Sequence, residues 1–156
     1  AGTGLVAAHV APCVAKVVAV DVSPSMLEAL AAKPELQGKV ETRCQDILES
    51  PLNEKFDAII SAMALHHVED TGALAACFAG HLEPGGLLAL ADLDREDGTF
   101  HAPGTEGIFH HGFDREALQL TLEAQGFEGV RFTTALEVEK EGGRRFPVFF
   151  VTARKG

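Results

Sequence analysis

The sequence contains no tryptophan and no tyrosine, and it has only three cysteines among 156 residues. Cys13, Cys44 and Cys77 are widely spaced, odd in number and without a CxxC pair, which argues against a disulfide framework and a zinc knuckle. Each lies among apolar residues, so we expect three small, buried side chains. The cysteine content therefore favours a reducing, cytoplasmic environment.

Long apolar runs and an excess of basic residues are also missing. No run approaches the roughly 18 residues that a membrane-spanning helix needs. Thirteen basic residues stand against 23 acidic ones, giving a net charge of −10. Duplex nucleic acid usually requires a basic face, so neither a membrane nor a duplex is an expected partner. An acidic field suits a cationic ligand.

Short apolar strands alternate with helices along the chain. Ser23, Asp70 and Asp114 each precede a helical pattern and are expected N-caps, with Pro24 at the first helical position. This order predicts a single α/β domain over residues 1–156 with a largely parallel sheet. The strands are predicted at 17–22, 40–46, 56–61, 87–91, 130–138 and 147–152, with a turn at 83–86 and a last, antiparallel pair joined at Gly142-Gly143.

Residues 95–113 show no periodicity and are rich in glycine and histidine. A stretch of this length without secondary structure is uncommon in a compact domain, and such stretches are often lids or binding loops. Phe100, Ile108 and Phe109 would supply its apolar contacts. We therefore expect this segment to cover the site and to form a wall for the acceptor.

Glycines and carboxylates recur where an α/β sheet binds its ligands. Gly2-Thr3-Gly4 opens a helix, while Asp21 and Asp46 end the next two strands. Such glycines allow close approach of a ligand, and a carboxylate after the second strand can accept the hydroxyls of a ribose. The pattern indicates a nucleoside-containing cofactor. Gly2-x-Gly4-x-x-Ala7 also fits the dinucleotide fingerprint, which leaves a nicotinamide cofactor as an alternative.

A set of motifs resembles a known family over essentially the whole chain. The segments AGTGLVA, VVAVDVSPSML, CQDILE, FDAIISAMALHHV, LEPGGLLALADLD and GFDREALQLTLEAQGF follow in order. Together they resemble class I S-adenosylmethionine-dependent methyltransferases, of the type that includes the ubiquinone and menaquinone C-methyltransferases. The resemblance implies a Rossmann-like, doubly wound, mostly parallel sheet with a C-terminal antiparallel hairpin.

The same resemblance explains the unusual start of the chain. In the family, a central strand ending in an acidic residue precedes a GxGxG motif, whereas this chain begins at Ala1-Gly2. The missing strand would lie between the strands at 17–22 and 56–61. We therefore expect the sequence to be N-terminally incomplete, or its gap to be filled by another chain.

The resemblance also implies roles for individual residues. Glycines of the first motif would contact the methionine part of the cofactor, and Asp21 would bind the ribose. The residues that follow the strands at 17–22 and 40–46 would contact the adenine. The implied cofactor-binding set is Gly2, Gly4, Asp21, Val22, Met26, Asp46 and Ile47, with Ser61 and Ala62 at the methionyl end.

Histidines are the candidates for proton transfer. His67 and His111 are predicted general bases for a hydroxyl or amine acceptor, because imidazole titrates near neutral pH. Adjacent histidines in a chain are not expected to converge, so we predict no metal site. A ligand set of His66, His101, His110 and Asp92 is the open alternative.

The predicted activity is in-line transfer of a methyl group from S-adenosylmethionine to a small molecule, with S-adenosylhomocysteine as the product. Two alternatives remain: a nicotinamide-dependent oxidoreductase and a non-catalytic cofactor-binding protein of the same fold. The absence of tyrosine excludes the tyrosine–lysine relay of short-chain dehydrogenases. The acceptor is not evident from the residues, and a homodimer is an open alternative.

Overall fold

The computed structural model describes all residues from Ala1 to Gly156. The chain forms two compact units, residues 1–52 and 53–156. The first unit holds α1 (Leu5–Val10), β1 (Val17–Asp21), α2 (Pro24–Ala31) and β2 (Val40–Cys44). The second holds β3 (Phe56–Ala62), α3 (Thr71–His81), β4 (Leu82–Leu93), α4 (Arg115–Ala124), β5 (Phe127–Glu139) and β6 (Arg145–Lys155).

In the first unit, β1 and β2 form a parallel pair that runs from Val17 opposite Val40 to Asp21 opposite Cys44. Helix α2 begins as predicted, because the Ser23 hydroxyl accepts a hydrogen bond from the Met26 backbone and Pro24 takes the first helical position. The apolar face of this helix supplies the centre of the unit's core, which consists of Ala11, Ala19, Leu27, Leu30 and Leu36.

In the second unit, four strands lie in the order β3-β4-β6-β5. Strands β3 and β4 are parallel, whereas β6 runs antiparallel to both β4 and β5. The predicted antiparallel hairpin is therefore confirmed, and its turn contains Gly142 and Gly143, both with positive φ. Asp70 and Asp114 cap α3 and α4 as predicted, each accepting a hydrogen bond from the backbone three residues later.

Strand β4 is longer than the sequence indicated. The expected turn at 83–86 is wrong, because this segment continues the strand and Phe56 already pairs with Leu82. A register shift between Phe56 and Ala58 accommodates the irregular residues. Gly86 lies at a close approach of backbones, since a Cβ there would come within 2.8 Å of the Glu83 carbonyl oxygen. Residues 83–86 themselves have no partner in β3, since the pairing resumes with Ala58 opposite Leu87, and Gly85 has a φ of 77°.

The cysteines are less buried than expected. Cys13 and Cys44 are exposed and Cys77 is half-buried. Cys44 ends β2, which pairs along only one edge, so neighbouring strands shield it on one side alone. No helix in the structure is both long and apolar enough to cross a membrane.

Candidate functional site

The glycine motif forms a tight turn immediately before α1. Gly2 and Gly4 have φ angles of 56° and 79°, a left-handed region that side chains disfavour. A Cβ on Gly4 would lie 2.7 Å from Cγ of Leu30, whereas a Cβ on Gly2 would meet nothing within 4 Å. The turn is thus packed against the core at Gly4 and open at Gly2.

Asp21 connects this turn to the end of β1. Its Oδ2 accepts from the Gly2 backbone N–H at 2.7 Å, and its Oδ1 accepts from the Ser23 backbone N–H at 2.9 Å. Burial would raise the pKa of Asp21, but the hydrogen bonds that it accepts from the backbone N–H groups of Ser23 and Gly2 hold its pKa below the ordinary value. The carboxylate is therefore ionised and held beside the glycine turn.

Apolar side chains and a second carboxylate follow the strands of this unit. Val22 and Met26 are 66% and 43% exposed, so both present apolar surface next to Asp21. Asp46 is exposed and its Oδ1 accepts from the Leu48 backbone at 2.8 Å, which closes a local turn after β2. Ile47 is half-buried. All of these residues lie at the C-terminal ends of the two parallel strands, where ligands bind in open α/β sheets.

In the second unit, β3 ends at the predicted Ser61 and Ala62. The next residue, Met63, has a φ of 54°, which is uncommon for any residue except glycine. Its backbone N–H donates to the Ala91 carbonyl at 2.8 Å, so the pairing with β4 holds the strained residue in place. Strain of this kind concentrates at functional sites, and no sequence pattern indicated it here.

Beyond Met63, a buried hydrogen-bonded pair joins the ends of β3 and β4. Asp92 is 0% exposed and His66 is 1% exposed. The Asp92 Oδ1 lies 2.6 Å from Nδ1 of His66, and the same carboxylate accepts from the backbone N–H groups of His66 and Leu93. Sequence reasoning grouped His66 with Asp92 only as part of an alternative metal-ligand set, whereas in the structure the two side chains form a hydrogen bond.

Three imidazole rings meet beside this pair. The ring centroids of His66 and His67 are 4.1 Å apart, and the ring of His101 lies 5.1 Å from that of His66 and 6.0 Å from that of His67. The expectation that adjacent histidines do not converge is therefore wrong for His66 and His67. We call His66, His67 and His101 the imidazole cluster.

The segment 95–113 contains no helix or strand, as predicted, yet backbone hydrogen bonds fix its course. Arg95 donates to the Phe113 carbonyl, and Phe113 donates to the Leu93 carbonyl. The His66 carbonyl accepts from both Phe109 and His110. The loop is thus tied to the ends of β3 and β4.

The other two histidines of the loop, His110 and His111, contact other groups. Nε2 of His110 lies 3.0 Å and 3.1 Å from the carbonyl oxygens of Val68 and Glu69, so it serves to anchor the loop. His111 is largely exposed, with Nδ1 3.5 Å from Oε1 of Glu96. No group of three His, Cys, Asp or Glu residues has a geometry that could hold a metal ion. His110 belongs to the alternative ligand set, but its Nε2 is already engaged with the carbonyl oxygens of Val68 and Glu69.

Comparison with known proteins places this architecture in a family. A family model described as a methyltransferase domain matches residues 1–90, more than half of the chain. An uncharacterised methyltransferase of Schizosaccharomyces pombe is 30% identical over 127 residues, covering 71% of this chain and 45% of the relative. The chain spans about half the length of the curated relatives it matches first.

Solved structures agree on the fold. The N-methyltransferase NodS of Bradyrhizobium japonicum, in complex with S-adenosyl-L-homocysteine, superposes with a TM-score of 0.74 at 20% identity, covering 98% of this chain and 73% of NodS. The [4+2]-cyclase SpnF superposes with a TM-score of 0.75 at 19% identity, covering 99% and 72%. These likenesses confirm the Rossmann-like α/β fold, while the family model and the fungal relative decide the family. The chain belongs to the methyltransferase domain family.

Proposed function

We propose that the chain binds S-adenosylmethionine and transfers its methyl group to a small-molecule acceptor. The observation that carries this proposal is the bond between the open glycine turn and Asp21, whose carboxylate lies 2.7 Å from the Gly2 backbone nitrogen. Family membership provides the reaction class. The likeness to NodS with its bound S-adenosylhomocysteine supports the choice of cofactor.

The residues of the first unit fit the nucleoside. Gly2 leaves free space above the turn, Asp21 is an ionised acceptor for ribose hydroxyls, and Val22 and Met26 offer an apolar surface for a flat base. Asp46 and Ile47 follow the neighbouring strand and are proposed to bind the adenine edge. When bound, S-adenosylmethionine supplies a methyl group on a positively charged sulfur, which suits an acidic protein.

The rate of methyl transfer depends more on the alignment of the acceptor with the methyl group than on acid–base groups. A sulfonium is a good leaving group, so orientation of the acceptor and exclusion of water provide most of the rate. We propose that the 95–113 loop supplies this enclosure. The assignments of Ser61 and Ala62 to the methionyl end, and of His67 and His111 as general bases, remain predictions. His67 donates through Nδ1 to the Gly107 carbonyl and His111 faces water, so both are accessible.

The cellular compartment, the class of acceptor and the oligomeric state are also proposals. The three cysteines form no disulfide, which favours the cytoplasm, and the net charge of −10 disfavours duplex nucleic acid as a partner. We expect a small-molecule acceptor rather than a macromolecule or membrane, and either a monomer or a homodimer. Sedimentation of the full-length protein measures the oligomeric state.

Calorimetric titration of the full-length protein with S-adenosylhomocysteine and, separately, NAD⁺ tests the cofactor. We expect micromolar affinity for the first and no heat from the second. Asp21→Asn should weaken binding because it removes the negative charge and replaces one of the two acceptor oxygens with an amide NH₂ donor. Asp21 also holds the glycine turn, so Met26→Glu provides a variant on an exposed residue that should fold normally and still weaken binding.

The matched control is Glu35→Gln, which removes an exposed carboxylate in the same unit and should leave affinity unchanged. Binding of NAD⁺ alone would support the oxidoreductase and contradict the methyltransferase. A protein that binds S-adenosylhomocysteine yet methylates none of a broad acceptor panel would favour the non-catalytic alternative. The cyclase SpnF illustrates that this fold also carries other chemistry.

A further inference from the structure

A cavity of about 160 Å³ lies between the two ends of the 95–113 loop and the N-terminal halves of α3 and α4. Arg95 comes from the first end of the loop, His110 and Phe113 come from the second, and Thr71 and Leu118 come from the two helices. A protein cavity of about 150 Å³ holds benzene, so this one has room for an aromatic ring of that size. No residue of the predicted cofactor-binding set or of the imidazole cluster lines it.

The inner walls of this cavity are apolar and fixed in position. The rings of His110 and Phe113 lie with their centroids 5.1 Å apart, and Leu118 is only 5% exposed. Gly112 has a φ of 69°, and a Cβ there would lie 2.0 Å from the Asp94 carbonyl oxygen, so the second end of the loop packs directly on the first. Such walls suit a flat ring, because aromatic and aliphatic side chains gain contact area against it without reordering.

A cation without a partner lines the same cavity. Arg95 is exposed, and its guanidinium makes no hydrogen bond or ion pair within the protein. Its acidic neighbours are already engaged, since Asp94 accepts twice from Arg115, at 2.7 Å and 2.6 Å, and Oε2 of Glu96 accepts from two backbone N–H groups. The guanidinium fork therefore remains available, and its geometry matches a carboxylate.

We propose that this cavity binds a small aromatic carboxylate, with the ring against His110 and Phe113 and the carboxylate on Arg95. Asp114 is the one acidic residue of the lining, and its Oδ1 already accepts from the Ala117 backbone N–H as the cap of α4. The positive charge for the ligand consequently comes from Arg95 and not from the helix end. The negative charge of Asp114 disfavours a dianion, which restricts the site to a single carboxylate.

This inference goes beyond the proposed methyl transfer and does not depend on it. Every residue of the lining lies within residues 53–156, and binding needs no cofactor. A ligand in the cavity would contact both ends of the loop and both helices at once, so it would hold these four segments together. The site can therefore be tested by binding alone, whatever the outcome of the cofactor titrations.

Nuclear magnetic resonance of the full-length protein with benzoate tests the site. Benzoate should shift the backbone amide signals of Gly112 and Phe113 and the side-chain N–H signals of Arg95, and the shifts should saturate at millimolar concentration. Benzamide keeps the ring without the charge, and acetate keeps the charge without the ring. Each should bind at least about 10-fold more weakly, because each lacks one of the two contacts. No saturating shift with benzoate, or equal affinity for acetate or benzamide, would overturn the proposal.

A pair of arginine variants tests the contact with the carboxylate. Arg95→Gln should lower the affinity for benzoate by about 10- to 100-fold, the usual effect of losing hydrogen bonds from a charged group. Its melting temperature should match that of the parent, because the side chain has no partner to lose. Arg131→Gln is the matched control, since Arg131 is also exposed and unpaired but does not line the cavity. Unchanged affinity in Arg95→Gln, or an equal loss in Arg131→Gln, would refute the assignment.

Discussion

Substitution of Gly4 by alanine should destabilise the first unit by two separable effects. Gly4 has φ 79° and ψ 23°, and a left-handed residue with a side chain costs about 1–2 kcal/mol. The new Cβ would lie 2.7 Å from Cγ and 3.2 Å from Cβ and Cδ1 of Leu30. Leu30 is 0% exposed and has no free space to move into, so overpacking adds about 1–3 kcal/mol.

Gly2→Ala isolates the backbone effect. Gly2 has φ 56°, but a Cβ there meets no atom within 4 Å, so only the strain of about 1–2 kcal/mol applies. Urea unfolding followed by circular dichroism gives the free energy of unfolding of both variants and does not depend on tryptophan. We expect a loss of about 2–5 kcal/mol for Gly4→Ala, the sum of the two costs. Equal losses in the two variants would refute the steric argument.

Three further predictions concern charged groups. Asp92→Asn should destabilise the protein by about 1–3 kcal/mol in urea unfolding, since it weakens the buried hydrogen bonds that this carboxylate accepts from His66 and Leu93; a loss below that of exposed Asp57→Asn would contradict this. Arg115→Gln removes two hydrogen bonds to Asp94, a partly exposed pair, and should cost about 1 kcal/mol by thermal melting, with Arg95→Gln as the control. The lowered pKa of Asp21 contributes stability that is present above about pH 4 and is lost as the pH falls through the folded-state pKa. Asp21→Asn should therefore weaken the loss of unfolding free energy at acidic pH. An unchanged dependence of the unfolding free energy on acidic pH would exclude Asp21 as its source.

Features set by neighbouring residues were predictable from the sequence. The caps at Ser23, Asp70 and Asp114 depend on a side chain and a backbone N–H three residues apart, so the local pattern specifies them. The strand at 87–91 was also recognised. Its extension to Leu82 was not, because the strand assignment of Leu82 depends on its pairing with Phe56, a residue distant in the sequence.

The sequence left features that depend on distant contacts open, since it grouped His66, His101 and Asp92 only within an alternative metal-ligand set. The pairing of His66 with Asp92 joins residues 26 positions apart, and His101 comes from a loop without periodicity. The two positive φ angles of the glycine motif were foreseeable from residue type, but that of Met63 was not, because it arises from the hydrogen bond to Ala91. The candidate cofactor residues were therefore easier to nominate than the imidazole cluster.

The bonds that tie the 95–113 loop to the strands are mostly between backbone atoms, including those of Phe109 to the His66 carbonyl and of Phe113 to the Leu93 carbonyl. Such bonds form whichever side chains the residues carry, proline excepted. Apart from Gly104 and Gly107, whose φ angles are positive, the intervening stretch at 102–107 can therefore diverge in composition while its two ends remain docked. A scaffold of this kind allows relatives to evolve new acceptor preferences through loop exchange without rebuilding the sheet, and a library of loops grafted between His101 and Ile108 is a direct route to altered specificity.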